Sequence, residues 1–341
     1  MRILFYCMLL LVSSVASAKQ ILNVYNWADY MPANVIKQFE SETDIQVNYT
    51  EYDSNETLYA KLKSNSRLGY DVIFPSSYYV HRMRREGMLL ALDKNKLPNF
   101  KYLNKSLLNQ NFDPNNTYSI PYLWGTTAIV VNSKYLSPQT VTSWKDFWNP
   151  KFKNQLLLFD DMREVFALAL FRLGYSINDT NPQHIEQAYQ QLKKLWENVK
   201  LFSSEAEQNI YIDEDVYIGM GLNGEIFNAM SENPSLVYIY PTDGFEIWMD
   251  NIAIPINAPH LKEALLFIDF LMRPEIAKQI STATGFSTPN QAAIALLPEK
   301  MRKSYIVNPD NKILQRGQFL LDLGEVNAIY EQYWNMLKIG E

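Results

Sequence analysis

Five short stretches of this chain hold residue types that do chemistry. VYIGMGLNGEIFNAM spaces Gly219, Gly221 and Gly224 as G-x-G-x-x-G, a pattern that lets backbone approach a dinucleotide pyrophosphate, and Asp243 follows roughly 20 positions on, where a ribose-binding acid would stand. FDDMREVF carries Asp161 and Glu164 three residues apart, on one face if a helix begins there. In WMDNIAIP, Asp250 stands two residues after Trp248, so an extended segment turns an acid and an indole to the same side. YNWADYMP supplies Trp27, Asp29 and Tyr30, and PSSYYV supplies Ser76, Ser77 and Tyr78, both at strand ends, where open α/β sheets place ligand contacts.

Carboxylates interleaved with aromatic rings suit a ligand that is cationic and oily. Ammonium groups form charge-assisted hydrogen bonds to the acids, while ring faces attract the charge and cover methylenes. Each motif also has a plain structural reading. Asp161 and Glu164 form a capping box, Asp250 is a strand-end acid beside a core tryptophan, Asp29 caps a helix starting near Pro32, and PSSYYV is an ordinary turn.

Other chemistries fit less well. The glycine motif lies deep in the chain instead of opening a first βαβ unit, which argues against a dinucleotide. No H-E-x-x-H or G-x-S-x-G occurs, Cys7 is the only cysteine, and His81, His184 and His260 are scattered on polar stretches. That leaves paired acids such as Asp161 and Glu164, which in a secreted hydrolase would serve glycoside cleavage. Capture of an amino acid calls for an arginine on its carboxylate. Among the motifs only Arg163 qualifies, and between two capping-box acids it points away.

Residues 1–18, MRILFYCMLLLVSSVASA, read as a secretory signal peptide: basic Arg2, an apolar run from Ile3 to Val12, and Ala-Ser-Ala at the end. Cys7 sits inside the apolar run, not after a cleavage triplet, so no lipid anchor is expected. The chain from Lys19 then has no thiol and relies on its hydrophobic core, and its length suits two domains. A net charge of -6 without a concentrated basic face excludes nucleic acid as a partner. Aromatic residues make up 13 % of the chain, with 22 tyrosines and 7 tryptophans, several of them beside carboxylates. Strand-like and helix-like segments alternate from ILNVYNW through YDVIFPSS, predicting an α/β fold with parallel sheets. YSIPYLWGTTAIVVN and FEIWMDNIAIPIN are longer than single strands usually are and read as crossovers between two discontinuous lobes around a cleft.

In order, YNWADYMP, YDVIFPSSYYV, YSIPYLWGTTAIVVN, FDDMREVF, WMDNIAIP and STPN resemble the periplasmic spermidine/putrescine-binding proteins of polyamine ABC transporters, from about Leu22 to the C-terminus. The resemblance implies a type II periplasmic-binding-protein fold that closes on a polyamine. It also implies delivery of that ligand to an inner-membrane ABC permease complex, with no cofactor and a monomer as the default state. The expected organisation is an N-terminal lobe of residues 19–125 and 250–300, a C-terminal lobe of 131–244 and 301–341, and hinges at 126–130 and 245–249.

Carried over residue by residue, the resemblance sets Asp161 and Glu164 at one end of the ligand and Asp250 against its middle amine. Tyr78 and Trp248 are walls, and Ser76 and Ser77 polar contacts. Four positions depart from the family pattern. Asp29 stands where glutamate is common, Leu222 where tryptophan is usual, Phe286 where tyrosine is usual, and Leu320 where a glutamine would meet a terminal amine. The site is oilier than the pattern, with Glu225 beside Leu222 as a new charge. Altered selectivity among putrescine, spermidine and longer or substituted polyamines is the expectation.

Overall fold

The computed structural model describes residues 19–64, 69–203 and 207–340, so the segment read as a signal peptide lies outside the described residues. The first half runs β1 (Gln20–Trp27), α1 (Ala33–Thr43), β2 (Ile45–Tyr52), α2 (Asn55–Ser64), β3 (Val72–Ile73), α3 (Ser77–Arg85) and β4 (Ser119–Asn132). Next come β5 (Leu156–Leu158), α4 (Met162–Leu173), α5 (Pro182–Leu195), β6 (Val199–Phe202), α6 (Glu207–Ile212), β7 (Ile218–Leu222), α7 (Asn223–Ala229) and β8 (Leu236–Ile239). The chain finishes with β9 (Phe245–Ala253), α8 (Leu261–Leu271), α9 (Pro274–Thr284), α10 (Gln291–Leu296), α11 (Glu299–Arg302), α12 (Asn311–Leu314), β10 (Gly317–Phe319) and α13 (Asn327–Ile339).

The strands lie in the order β2-β1-β3-β9-β4-β7-β5-β6, with β10 beside β9 and β8 beside β4. Each flank is a parallel trio, β2-β1-β3 on one side and β7-β5-β6 on the other. Each trio is built by helical crossovers, because parallel neighbours cannot be joined by a tight turn. The two trios meet through one antiparallel pair: β4 and β9 are hydrogen-bonded from Ser119 opposite Ala253 to Thr127 opposite Glu246. The two long stretches of the sequence are therefore the strands that link the flanks, and β4 is buried along its whole length.

Helices bury apolar stripes on both flanks. Val35 and Phe39 of α1 join Phe267, Ile268 and Ile276 of α8 and α9 over β1 and β3, while α4, α5 and α13 pack over β5 and β7 around Phe166, Leu192 and Tyr330. The helical stretch from His260 breaks after Met272, with Arg273 at the N-cap position and Pro274 opening the new helix, since proline suits a first turn but not an interior. Among the described residues no helix is long and apolar enough to cross a membrane.

Candidate ligand-binding site

The site gathers on the β4–β9 pair and the strand ends that face it. The stretch after β3 meets β9 at a bridge between Ser76 and Asp250, and the Asn251 amide donates to the Pro75 carbonyl at 3.0 Å. Ser76 is the N-cap of α3, a position where serine normally caps with its own hydroxyl. Here its side chain makes no cap bond. Instead Oγ donates to Asp250 Oδ1 at 2.5 Å, and Tyr30 Oη donates to Asp250 Oδ2 at 2.8 Å. Asp250 is only 7 % exposed. Burial pushes its carboxyl up to about 6, against the downward pull of the Ser76 and Tyr30 hydrogen bonds.

Aromatic rings close round this acid. Phe286 lies 5.7 Å from the Tyr30 ring and 5.0 Å, edge to face, from Trp248. Trp27 lies 4.8 Å from Tyr52 and donates its indole N–H to the Phe74 carbonyl at 2.8 Å. Asn55, at the start of α2, ties the serine loop together: its amide donates to Ser76 Oγ and Tyr78 Oη, and its Oδ1 accepts the Ser76 N–H. Asn55 gave no signal in the sequence, because its partners arrive more than 20 residues later.

The other flank brings FDDMREVF. Asp161 is the N-cap of α4, with Oδ1 accepting from the Arg163 and Glu164 amides at 2.8 and 3.0 Å. The capping-box alternative fails at its second half, because Glu164 does not return to the cap. Glu164 accepts from Thr127 Oγ1 of β4 at 3.0 Å and shares a small buried space with the carboxyl of Glu246 on β9. Burial, then the Glu246 and Asp161 charges, hold Glu164 well above the usual carboxylate range. Glu246 is raised too, again by burial first. Sequence reading missed Glu246, although strand alternation back from Asp250 through Trp248 would have found it.

Arg163 does point away from the cleft: its guanidinium donates to the Leu321 and Ile177 carbonyls and to Asn178 Oδ1. These bonds pin the segment after β10, where the Leu320 side chain joins the α4–α5 core and its carbonyl lies 3.5 Å from Ser77 Oγ. Asp161 and Glu56 are the charges nearest Tyr78, which spans the cores of both flanks. Leu222 likewise packs against both flanks. Asp29 is the outlier. It is exposed, with a left-handed backbone (φ 55°), and does not cap α1, whose N-cap is Pro32.

The glycine motif forms the end of β7 and the start of α7, and its glycines answer to packing. A Cβ on Gly219 would come within 2.4 Å of the Leu157 carbonyl, and one on Gly224 within 2.2 Å of the Phe286 ring. Asp243, the acid that would hold a ribose, accepts from Ser143 Oγ at 2.6 Å and the Trp144 amide at 3.1 Å.

Two parallel trios, joined by paired linking strands that carry an acid and an indole, define a solute-binding protein. Residues 34–306 match the bacterial extracellular solute-binding proteins, and the chain belongs to that family. It is 47 % identical over 325 residues to the spermidine/putrescine-binding periplasmic protein of Salmonella typhimurium, covering 95 % of this chain and 93 % of that one. Against the protein of the same description from Escherichia coli K12 it is 47 % identical over 319 residues, covering 94 % and 92 %. Among solved structures, the spermidine/putrescine ABC transporter substrate-binding protein PotD from Streptococcus pneumoniae superposes with a TM-score of 0.84 at 35 % identity, covering 94 % of this chain and 99 % of that one.

Proposed function

We propose that this protein is the periplasmic receptor of a polyamine ABC transporter, capturing spermidine or putrescine and presenting it to an inner-membrane permease as a monomer. The observation that carries the reading is Asp250, a buried carboxylate held by the Tyr30 and Ser76 hydroxyls two residues after Trp248, whose ring packs edge to face on Phe286. A desolvated acid with no cation is a poor structural element, but against an ammonium it is a strong binding group. The names of the relatives agree with that chemistry.

In this reading residues 19–125 and 250–300 form one lobe and 131–244 and 301–341 the other. Closure turns on 126–130 and 245–249, which pair across β4 and β9 at Thr126–Ile247 and Thr127–Glu246. Trp27, Asp29, Tyr30, Ser76, Ser77, Tyr78, Asp161, Glu164, Leu222, Trp248, Asp250, Phe286 and Leu320 line the ligand. A panel of thermal melts tests the class of ligand. At 100 times its Kd a polyamine adds about 2.7 kcal/mol of stability, or roughly 4 °C in Tm for a chain of this size, while amino acids and sugars leave Tm unchanged. A Tm raised by an amino acid or a sugar and by no polyamine would overturn the assignment.

Leu222 sets a second expectation. Leu222→Trp adds a ring face where both flanks meet and should tighten polyamine binding by about 0.5–2 kcal/mol, roughly 2- to 30-fold. Competition titrations that show looser binding would mean that the leucine is itself matched to an oilier amine.

A further inference from the structure

Glu246 lies in the linking strand two residues before Trp248 and four before Asp250, so all three side chains leave the same face of β9. It stands opposite Thr127, whose hydroxyl is bound to Glu164, and is only 5 % exposed. Among the described residues its Oε2 is buried and has no hydrogen-bond partner, and Glu164 lines the same small space. Two ionised carboxylates crowded into one buried site repel each other, which favours a single proton held between them.

The surrounding charges leave that pair without a cation. Asp161 on α4 and Asp250 on β9 are both acidic, and the Tyr238 phenol of β8 is neutral. The positive group that acts on the pair, Arg163, spends both terminal guanidinium nitrogens on Leu321, Ile177 and Asn178. Ala167, Leu168, Phe171 and Met220 supply only apolar wall, around a space of about 10 Å³, no more than a single water would fill. As a purely structural element this arrangement is unfavourable, since buried acids are normally paired with a cation.

We propose that Glu246 is a specificity-determining residue of the cleft, forming with Glu164 a one-proton acid pair that receives a terminal primary ammonium and gives up its proton to solvent as the ligand docks. The inference rests on the polyamine reading above. In the step, the ammonium keeps its three protons, the O–H bond within the pair breaks, and that proton leaves to the buffer. The pair goes from one negative charge to two, facing a ligand that brings positive charge. A primary ammonium suits the exchange because its three donors address both carboxylates and leave one for Asp161. A secondary amine, with two, does not.

Titration of the purified protein with putrescine near pH 7, in buffers of different ionisation enthalpy, counts the protons released. Wild type should release about one proton more per bound ligand than Glu246→Gln, whose amide donates to an ionised Glu164 and leaves no shared proton. Equal release with binding intact in both would overturn the proposal. A wild type that releases protons but ranks secondary amines level with primary ones would overturn the specificity it assigns. Wild type alone gives an independent readout: affinity for putrescine should rise towards tenfold per pH unit between about pH 6.5 and 8, above the range in which Asp250 ionises. A flat profile there with tight binding refutes the acid pair and spares the polyamine reading. Absence of putrescine, spermidine and spermine binding at any pH refutes both.

Discussion

Asp250→Asn should abolish tight polyamine capture while leaving the fold in place. The amide matches the carboxylate in shape, and the Tyr30 and Ser76 hydroxyls that hold Asp250 can turn to serve it. What disappears is a buried negative charge opposite an ammonium. Truncating one side of such a pair costs about 2–4 kcal/mol, roughly 30- to 1000-fold in Kd. Stability should move the other way. Unfolded, the carboxyl ionises near its ordinary value of 3.8; folded without ligand, it keeps its proton up to about 6. The folded state thus binds more protons across that window, and the ligand-free protein loses stability as pH rises through it, by up to about 3 kcal/mol from this group. Glu164 and Glu246 add slopes of the same sign, so the informative quantity is the difference between the urea-unfolding curves of wild type and variant. That difference should favour the variant increasingly from pH 4 to pH 6 and then level off. A variant less stable than wild type at neutral pH, or one that still binds spermidine normally, would remove Asp250 from the centre of the site.

Gly125→Ala should damage both fold and site. Gly125 lies opposite Trp248 in the β4–β9 pair, and a Cβ there would stand 2.1 Å from Asn223 Oδ1 and 2.3 Å from Trp248 Cζ2. Asn223 cannot retreat freely, because it accepts from the Thr126 amide and donates to Ser287 and Ile306. Overpacking of this kind costs about 1–3 kcal/mol, equivalent to a Tm roughly 1–5 °C lower. The displaced indole also loses its edge-to-face contact with Phe286. Polyamine affinity should therefore fall by about 2- to 30-fold through the lost cation–π attraction. Thermal melts and titrations of the variant read the two effects separately. An unchanged Tm with unchanged affinity would show that the indole is not wedged against Gly125.

Much of this arrangement was legible in the sequence, for reasons that differ from residue to residue. The linking strands declared themselves through length and apolarity, since β4 is covered on both faces and needs no polar side. Asp250 and Trp248 could be paired by alternation alone. Their meeting with Tyr30, Ser76 and Phe286 depends on register between distant strands, and only the family resemblance suggested it. At Asp161 the structure realises the cap of α4, and the same carboxylate lies close enough to Tyr78 for its charge to act on the phenol. Glu164 left the capping box because Thr127 and Glu246, far away in sequence, offered other partners. The one-turn helices between Lys94 and Phe152 were not foreseen, since a single turn is too short to show hydrophobic periodicity.

The most direct test of the account is isothermal titration of the protein, stripped of carried-over ligand, with spermidine and with putrescine. One site per chain with micromolar or tighter affinity, about -8 kcal/mol or better, is expected for at least one of them. Heats indistinguishable from dilution for both would contradict it and leave a solute-binding protein whose acid-lined cleft serves a different cation.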